Sequence, residues 1–124
     1  MANSMWNLPD TQTVLGPVQI MREQGEALEI ATNGKLQGRI QTHGSGSDII
    51  SEFNILVPNL GYYSYTLCAY EQKPLAIYPG RFFSSFSNSW FSVANEDEFR
   101  MFLSEMLGSQ TAKQLLSSLL SQAS

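Results

Sequence analysis

The chain has 124 residues, 43% of them hydrophobic and 15% charged, with a net charge of −4. That length suits one domain with one core, large enough to fold without disulfides or metals. Seven basic residues against eleven acidic ones supply no basic stripe, which argues against nucleic acid as a partner and against a polybasic membrane anchor. The lone cysteine, Cys68, excludes an internal disulfide and with it a disulfide-stapled secreted scaffold. Met1 to Asn7 lacks a basic region followed by an apolar run, so no signal peptide is read there. No stretch reaches the roughly 20 apolar residues of a membrane span. The expected address is the cytoplasm, with no membrane contact.

Residues 1–17 read as an irregular arm, either tucked against the body through Trp6, Leu8 and Leu15 or partly disordered as termini often are. From Val18 onward short runs alternate with turn signals. Val18 to Arg22 and Leu28 to Ile30 alternate apolar and polar residues, a half-buried strand signal, with Gln24-Gly25 able to turn between them. Asn33-Gly34 tolerates positive φ at both positions and reads as a hairpin turn. In the strand returning from it, Leu36, Gly38 and Ile40 share one face. His43-Gly44-Ser45-Gly46-Ser47-Asp48 is a flexible loop by composition.

Ile49 to Val57 fits a period of two and, nearly as well, a helical face. Its Ile, Phe and Val residues favour the strand. Tyr62 to Tyr70 is the clearest strand, with Tyr63, Tyr65, Leu67 and Ala69 on one face and Tyr62, Ser64, Thr66, Cys68 and Tyr70 on the other. Two populated faces point to a central position. Leu75 to Tyr78 is a short strand, and Phe82 to Phe86 pairs with Ser89 to Val93 across Ser87-Asn88.

Residues 95–124 read as two helices. Asn95 is the N-cap of the first, with Glu98 three residues on as in a capping box, and Glu96, Asp97 and Glu98 complement the helix dipole. Phe99, Phe102, Leu103, Met106 and Leu107 form its apolar face, and Gly108 closes it. Ser109 caps a second helix carrying Ala112, Leu115, Leu116, Leu119, Leu120 and Ala123. The expected fold is a single α+β domain: an antiparallel β-meander of about six to eight strands with two C-terminal helices on one face.

Catalytic chemistry finds little support. His43, with Ser45 or Ser47 and Asp48, offers the residue types of a Ser-His-acid set. These residues fall within one glycine-rich hexapeptide, the opposite of preorganisation, and His43 reads as a solvated loop residue. One histidine and one cysteine cannot make a zinc set, and Glu96-Asp97-Glu98 does not space its carboxylates as a calcium loop does. Cys68 reads as a buried structural thiol. No catalytic residue, metal or cofactor is assigned.

Two features stand out. Aromatic residues crowd positions 62–91 around Arg81, so Tyr65 and Tyr78 with Arg81 are candidates for a small-molecule pocket in which Arg81 pairs with an anionic group. The last helix has a nearly uncharged polar face, Gln114, Ser117, Ser118, Ser121 and Gln122, which is cheaper to desolvate than a charged one. Leu116, Leu119 and Leu120 are therefore candidates for a subunit interface. The leading expectation is a small non-enzymatic interaction or assembly protein that self-associates, with a homodimer or another protein as partner. The alternative is a small-molecule binding domain, at most a weak enzyme.

Overall fold

The computed structural model describes residues 5–7 and 16–123, so Leu8 and Leu15 of the expected N-terminal arm lie outside the described residues. Helix α1 (Pro17–Ala31) leads into strands β1 (Gln37–Ser45), β2 (Asp48–Val57), β3 (Tyr63–Lys73), β4 (Ala76–Ser84) and β5 (Ser89–Val93). Helices α2 (Glu96–Leu107) and α3 (Gln110–Ala123) follow. The strands form one antiparallel sheet in the order β1-β2-β3-β4-β5, which makes β3 the central strand, as its two populated faces imply. The class is α+β, with five strands rather than six to eight and three helices rather than two. None of the described helices is long and apolar enough to cross a membrane.

The N-terminal difference is the larger one. Residues 18–30 are not strands but α1. Ile20, Met21 and Gly25 are buried and Leu28 is half-buried, spaced by three and four residues as a helical stripe requires. Pro17 occupies the first turn, where its missing N–H is not needed. Asn33 and Gly34 do take positive φ, at +52° and +79°. They serve a helix end instead of a hairpin: the Gly34 N–H reaches back to the Glu29 carbonyl at 2.8 Å, a Schellman-type closure. Thr32 locks the exit. Its hydroxyl donates to the Leu28 carbonyl at 2.9 Å and accepts the Leu36 N–H at 3.1 Å.

Two further corrections concern the course of the strands. The expected loop 43–48 shrinks to the two-residue turn Gly46-Ser47, and His43 to Ser45 belong to β1, paired with β2. Residues 49–57 are strand, as their Ile, Phe and Val residues favour. The segments 75–78 and 82–86, read as separate strands, fall largely in one strand, β4, with Leu75, Ser85 and Phe86 left in turns, and β4 bows outward between the pairs Lys73↔Ala76 and Glu71↔Arg81. Pro79 sits in that bow, where it breaks no paired ladder.

In β3 a bulge changes the faces. Phe53 pairs with Cys68 but Asn54 with Thr66, so Leu67 is the extra residue. Leu67 and Cys68 both turn inward, and Tyr70 follows Cys68 into the core with no exposed surface. Ala69 is thereby moved to the outer face beside Thr66.

All three helices cover one face of the sheet. Helix α1 lies over β1 and β2, α2 over β4 and β5, and α3 reaches the short 3-10 turn Pro58–Leu60. There the Asn59 amide donates to the Ala123 carbonyl at 2.8 Å. The core between the layers is built on Phe53, Tyr70, Phe82 and Phe99, flanked by Ile20, Met21, Ile55 and Val57. Phe99 stands edge-on to both Tyr70 and Phe82, with centroids 5.3 and 5.9 Å away. Buried polar groups are bonded: the Tyr70 hydroxyl donates to the Ile77 carbonyl at 2.6 Å, and Thr66 donates to Asn54 Oδ1 at 2.7 Å.

The C-terminal helices start as the capping pattern predicts. Asn95 Oδ1 accepts the Glu98 N–H at 2.9 Å, and Glu98 Oε1 reaches back to the Ala94 N–H at 2.7 Å. Ser109 Oγ accepts the Ala112 N–H at 3.2 Å. Asn95→Ala is expected to destabilise the fold by about 1 kcal/mol. Urea denaturation would read this as a lower midpoint with an unchanged slope.

Candidate functional site

Side chains alternate across each strand, so the face opposite the helices is lined by the residues left over from the core. All the charged residues of the sheet lie there: Arg39 and His43 on β1, Asp48 and Glu52 on β2, Glu71 and Lys73 on β3, and Arg81 on β4. Arg39, Lys73 and Arg81 balance Asp48, Glu52 and Glu71. The face is electrically neutral while the chain carries −4, so the acidic surplus sits on the helices and their flanks. Four of the face's six charges pair within it, whereas Arg39 pairs with Glu29 of α1 at 3.3 Å. Lys73 Nζ lies 2.6 Å from Asp48 Oδ1, and Arg81 donates to Glu71 Oε1 from Nε at 2.8 Å and from Nη2 as well. His43 Nε2 stands 3.9 Å from Glu52 Oε1.

Arg81 also caps an aromatic pair. Its guanidinium carbon is 4.6 Å from the centroid of the Trp90 ring, a cation–π distance, and Trp90 meets Phe83 with centroids 5.1 Å apart. Trp90 remains 40% exposed. Ile50 and Leu56, both half-buried, complete the apolar part of this face. Among the described residues no helix crosses it.

The residues nominated for a ligand pocket are not brought together. Tyr65 faces the helices near one end of β3, its hydroxyl 3.2 Å from Ser85 Oγ. Tyr78 packs on Tyr70 at the other end of the aromatic core, with centroids 5.9 Å apart. Burial, reinforced by the Glu96 carboxylate against an opposing pull from Arg100, pushes the Tyr78 hydroxyl up to about 12. Arg81 points to the opposite side of the sheet, its guanidinium already engaged by Glu71. The leucines nominated for an interface pack against the protein's own core: Leu119 is buried, and Leu116 and Leu120 are partly buried against it. The outward side of α3 is a shallow polar surface formed by Lys113, Gln114, Ser117, Ser118 and Ser121.

Cys68 is fully buried, and burial pushes its thiol well above the usual range, which disfavours the reactive thiolate. Among the described residues no three His, Cys, Asp or Glu side chains gather closely enough to hold a metal ion.

Sequence reasoning had no access to a second feature, an apolar cavity of about 240 Å³ between the helical layer and the sheet. Its floor is Phe53, Ile55 and Leu67. Its walls come from Ala27 and Leu28 of α1, Leu107 of α2, and Ala112, Leu115 and Leu116 of α3, with Gln24 as the one polar side chain among the described residues. With 18–30 read as strands, Gln24 and Leu28 could not be placed opposite Leu116. The cavity opens to solvent on the side of Gln24 and Ala27, both of them exposed. No protein-family model, curated protein or solved structure matches this chain.

Proposed function

We propose that the chain is a non-enzymatic interaction module that self-associates, meeting a second copy through the helix-free face of its sheet. The observation that carries this reading is the charge distribution. Two copies of a neutral face, four of whose six charges are paired within it, approach without the repulsion that the acidic helical sides of a −4 chain would impose. Trp90, held upright between Phe83 and Arg81, supplies the kind of aromatic anchor on which interfaces depend. Five strands about 4.8 Å apart, each about nine residues at 3.3 Å, make a face of roughly 20 by 30 Å. That is about 1,200 Å² buried by two copies, the lower limit of a stable dimer. The edge strand β5, Ser89-Trp90-Phe91-Ser92-Val93, carries none of the lysines or prolines that usually guard a sheet edge. The chain's lone cysteine, Cys68 of β3, is a buried free thiol, which fits a reducing compartment such as the cytoplasm.

Sedimentation velocity of the full chain at tens of micromolar is expected to show a dimer. Trp90→Glu, and independently Ile50→Glu, are expected to yield folded monomers, because each places an unpaired carboxylate in the contact. A wild-type monomer throughout that range, or dimers that survive both substitutions, would overturn the proposal.

A second reading, a small-molecule binding domain, draws on the apolar cavity alone and is independent of oligomeric state.

A further inference from the structure

We infer that the cavity between α1, α3 and the sheet binds a small amphiphile: a medium-length hydrocarbon chain or a ring bearing an uncharged hydrogen-bonding head, such as an alcohol, ester or amide. This rests on the second reading above and not on self-association, so a monomeric protein would leave it intact.

The apolar part of the ligand follows from the walls. Phe53, Ile55, Leu67, Leu28 and Leu116 offer no hydrogen bond, and among the described residues Gln24 is the only polar side chain lining the space. A water molecule needs two to four polar partners to be held in a cavity, so this space favours hydrocarbon over water. An engineered apolar cavity of about 150 Å³ takes up benzene. The volume here, about 240 Å³, admits a longer molecule than a single ring.

The head follows from what lies at the mouth. Gln24 and Leu107 also line an adjoining groove of about 550 Å³ between α1 and α2, which contains Ser104 and Arg100. The Gln24 amide can donate and accept, as can the Ser104 hydroxyl. Among the described residues Arg100 is the one cation in the groove, and its Nε already donates to Glu96 Oε2 at 2.9 Å. Glu23 adds a second negative charge near that guanidinium. An anionic head would meet two carboxylates around one engaged cation, whereas an uncharged head meets an amide and a hydroxyl.

The test uses the full-length protein with labelled methyl groups, titrated separately with 1-octanol and with octanoate. With 1-octanol, saturable shifts are expected at the Leu28, Leu67 and Leu116 methyls, and octanoate is expected to bind at least tenfold more weakly. Ala27→Leu, which places an isobutyl group at the mouth from an exposed, helix-favouring position, is expected to abolish the shifts while the fold persists. Leu116→Phe provides a second filling variant. Gln24→Leu is expected to weaken 1-octanol about threefold to tenfold, the range of one lost hydrogen bond. Absence of methyl shifts up to the solubility limit of 1-octanol would overturn the site, as would undiminished binding in both filling variants. Octanoate binding as tightly as the alcohol would overturn the uncharged head.

Discussion

Replacing Phe99 by alanine is expected to destabilise the protein by about 4 kcal/mol, within the usual range for removing a buried ring. The ring has no exposed surface and is the main point at which α2 enters the sheet. Tyr70 of the central strand and Phe82 of β4 both present faces or edges to it, and Phe82 stacks in turn on Phe102 one turn along α2, with centroids 5.9 Å apart. Each aromatic pair adds about 0.5–1.5 kcal/mol beyond its buried area, and truncation at position 99 removes two such pairs together. Small domains hold only about 5–15 kcal/mol in total, so the variant should retain a folded state close to the unfolding threshold. Urea denaturation checks this, with a lower midpoint and an unchanged slope expected. A loss below about 1 kcal/mol would mean that α2 is held mainly by its cap and by α3, contrary to the packing described.

Which elements were legible in the sequence follows a physical pattern. The C-terminal helices were legible to the residue because their ends are marked by local chemistry: the Asn95 side chain and the Glu98 carboxylate act within four residues of one another. Strand β2 was legible because β-branched residues and a period of two agree there. Helix α1 was not, for a reason visible in Asn33-Gly34. Positive φ suits both a hairpin turn and a helix C-terminus, and short apolar runs such as Val18–Arg22 fit either period. The face assignment within β3 failed at Leu67, because a bulge is set by the neighbouring strand and not by the strand's own alternation. The Arg81–Trp90–Phe83 cluster was half legible. Arg81 stood out among the aromatics, but its partners depend on the register Arg81↔Ser92 and Phe83↔Trp90, which is tertiary information. The cavity was invisible for the same reason, since its walls come from three helices and two strands that only the folded chain brings together.

Gly38→Ala is expected to destabilise the protein by about 3 kcal/mol, at the upper end of the usual effect of overpacking, and to do so more than Gly25→Ala. At this point α1 crosses β1 with backbone against backbone. A Cβ on Gly38 would fall 2.3 Å from the Gly25 Cα and 3.2 Å from its carbonyl carbon and oxygen. Those atoms belong to the middle of a hydrogen-bonded helix and cannot yield separately, so α1 must move as a body away from Ile55 and Ile40. The reciprocal change is milder. A Cβ on Gly25 would approach the Gly38 carbonyl oxygen at 3.0 Å, and alanine favours a helix over glycine by about 1 kcal/mol, which offsets part of the clash. Thermal unfolding of the two variants should therefore rank Gly38→Ala below Gly25→Ala, and the reverse order would contradict the crossing geometry. The displacement has a second consequence. Gln24 is the immediate neighbour of Gly25, with Ala27 and Leu28 one turn along, and all three line the cavity. Gly38→Ala is therefore expected to weaken 1-octanol binding by the folded protein. Phe99 lines no part of that space, so Phe99→Ala should bind the alcohol as the wild type does despite an equal or larger loss of stability.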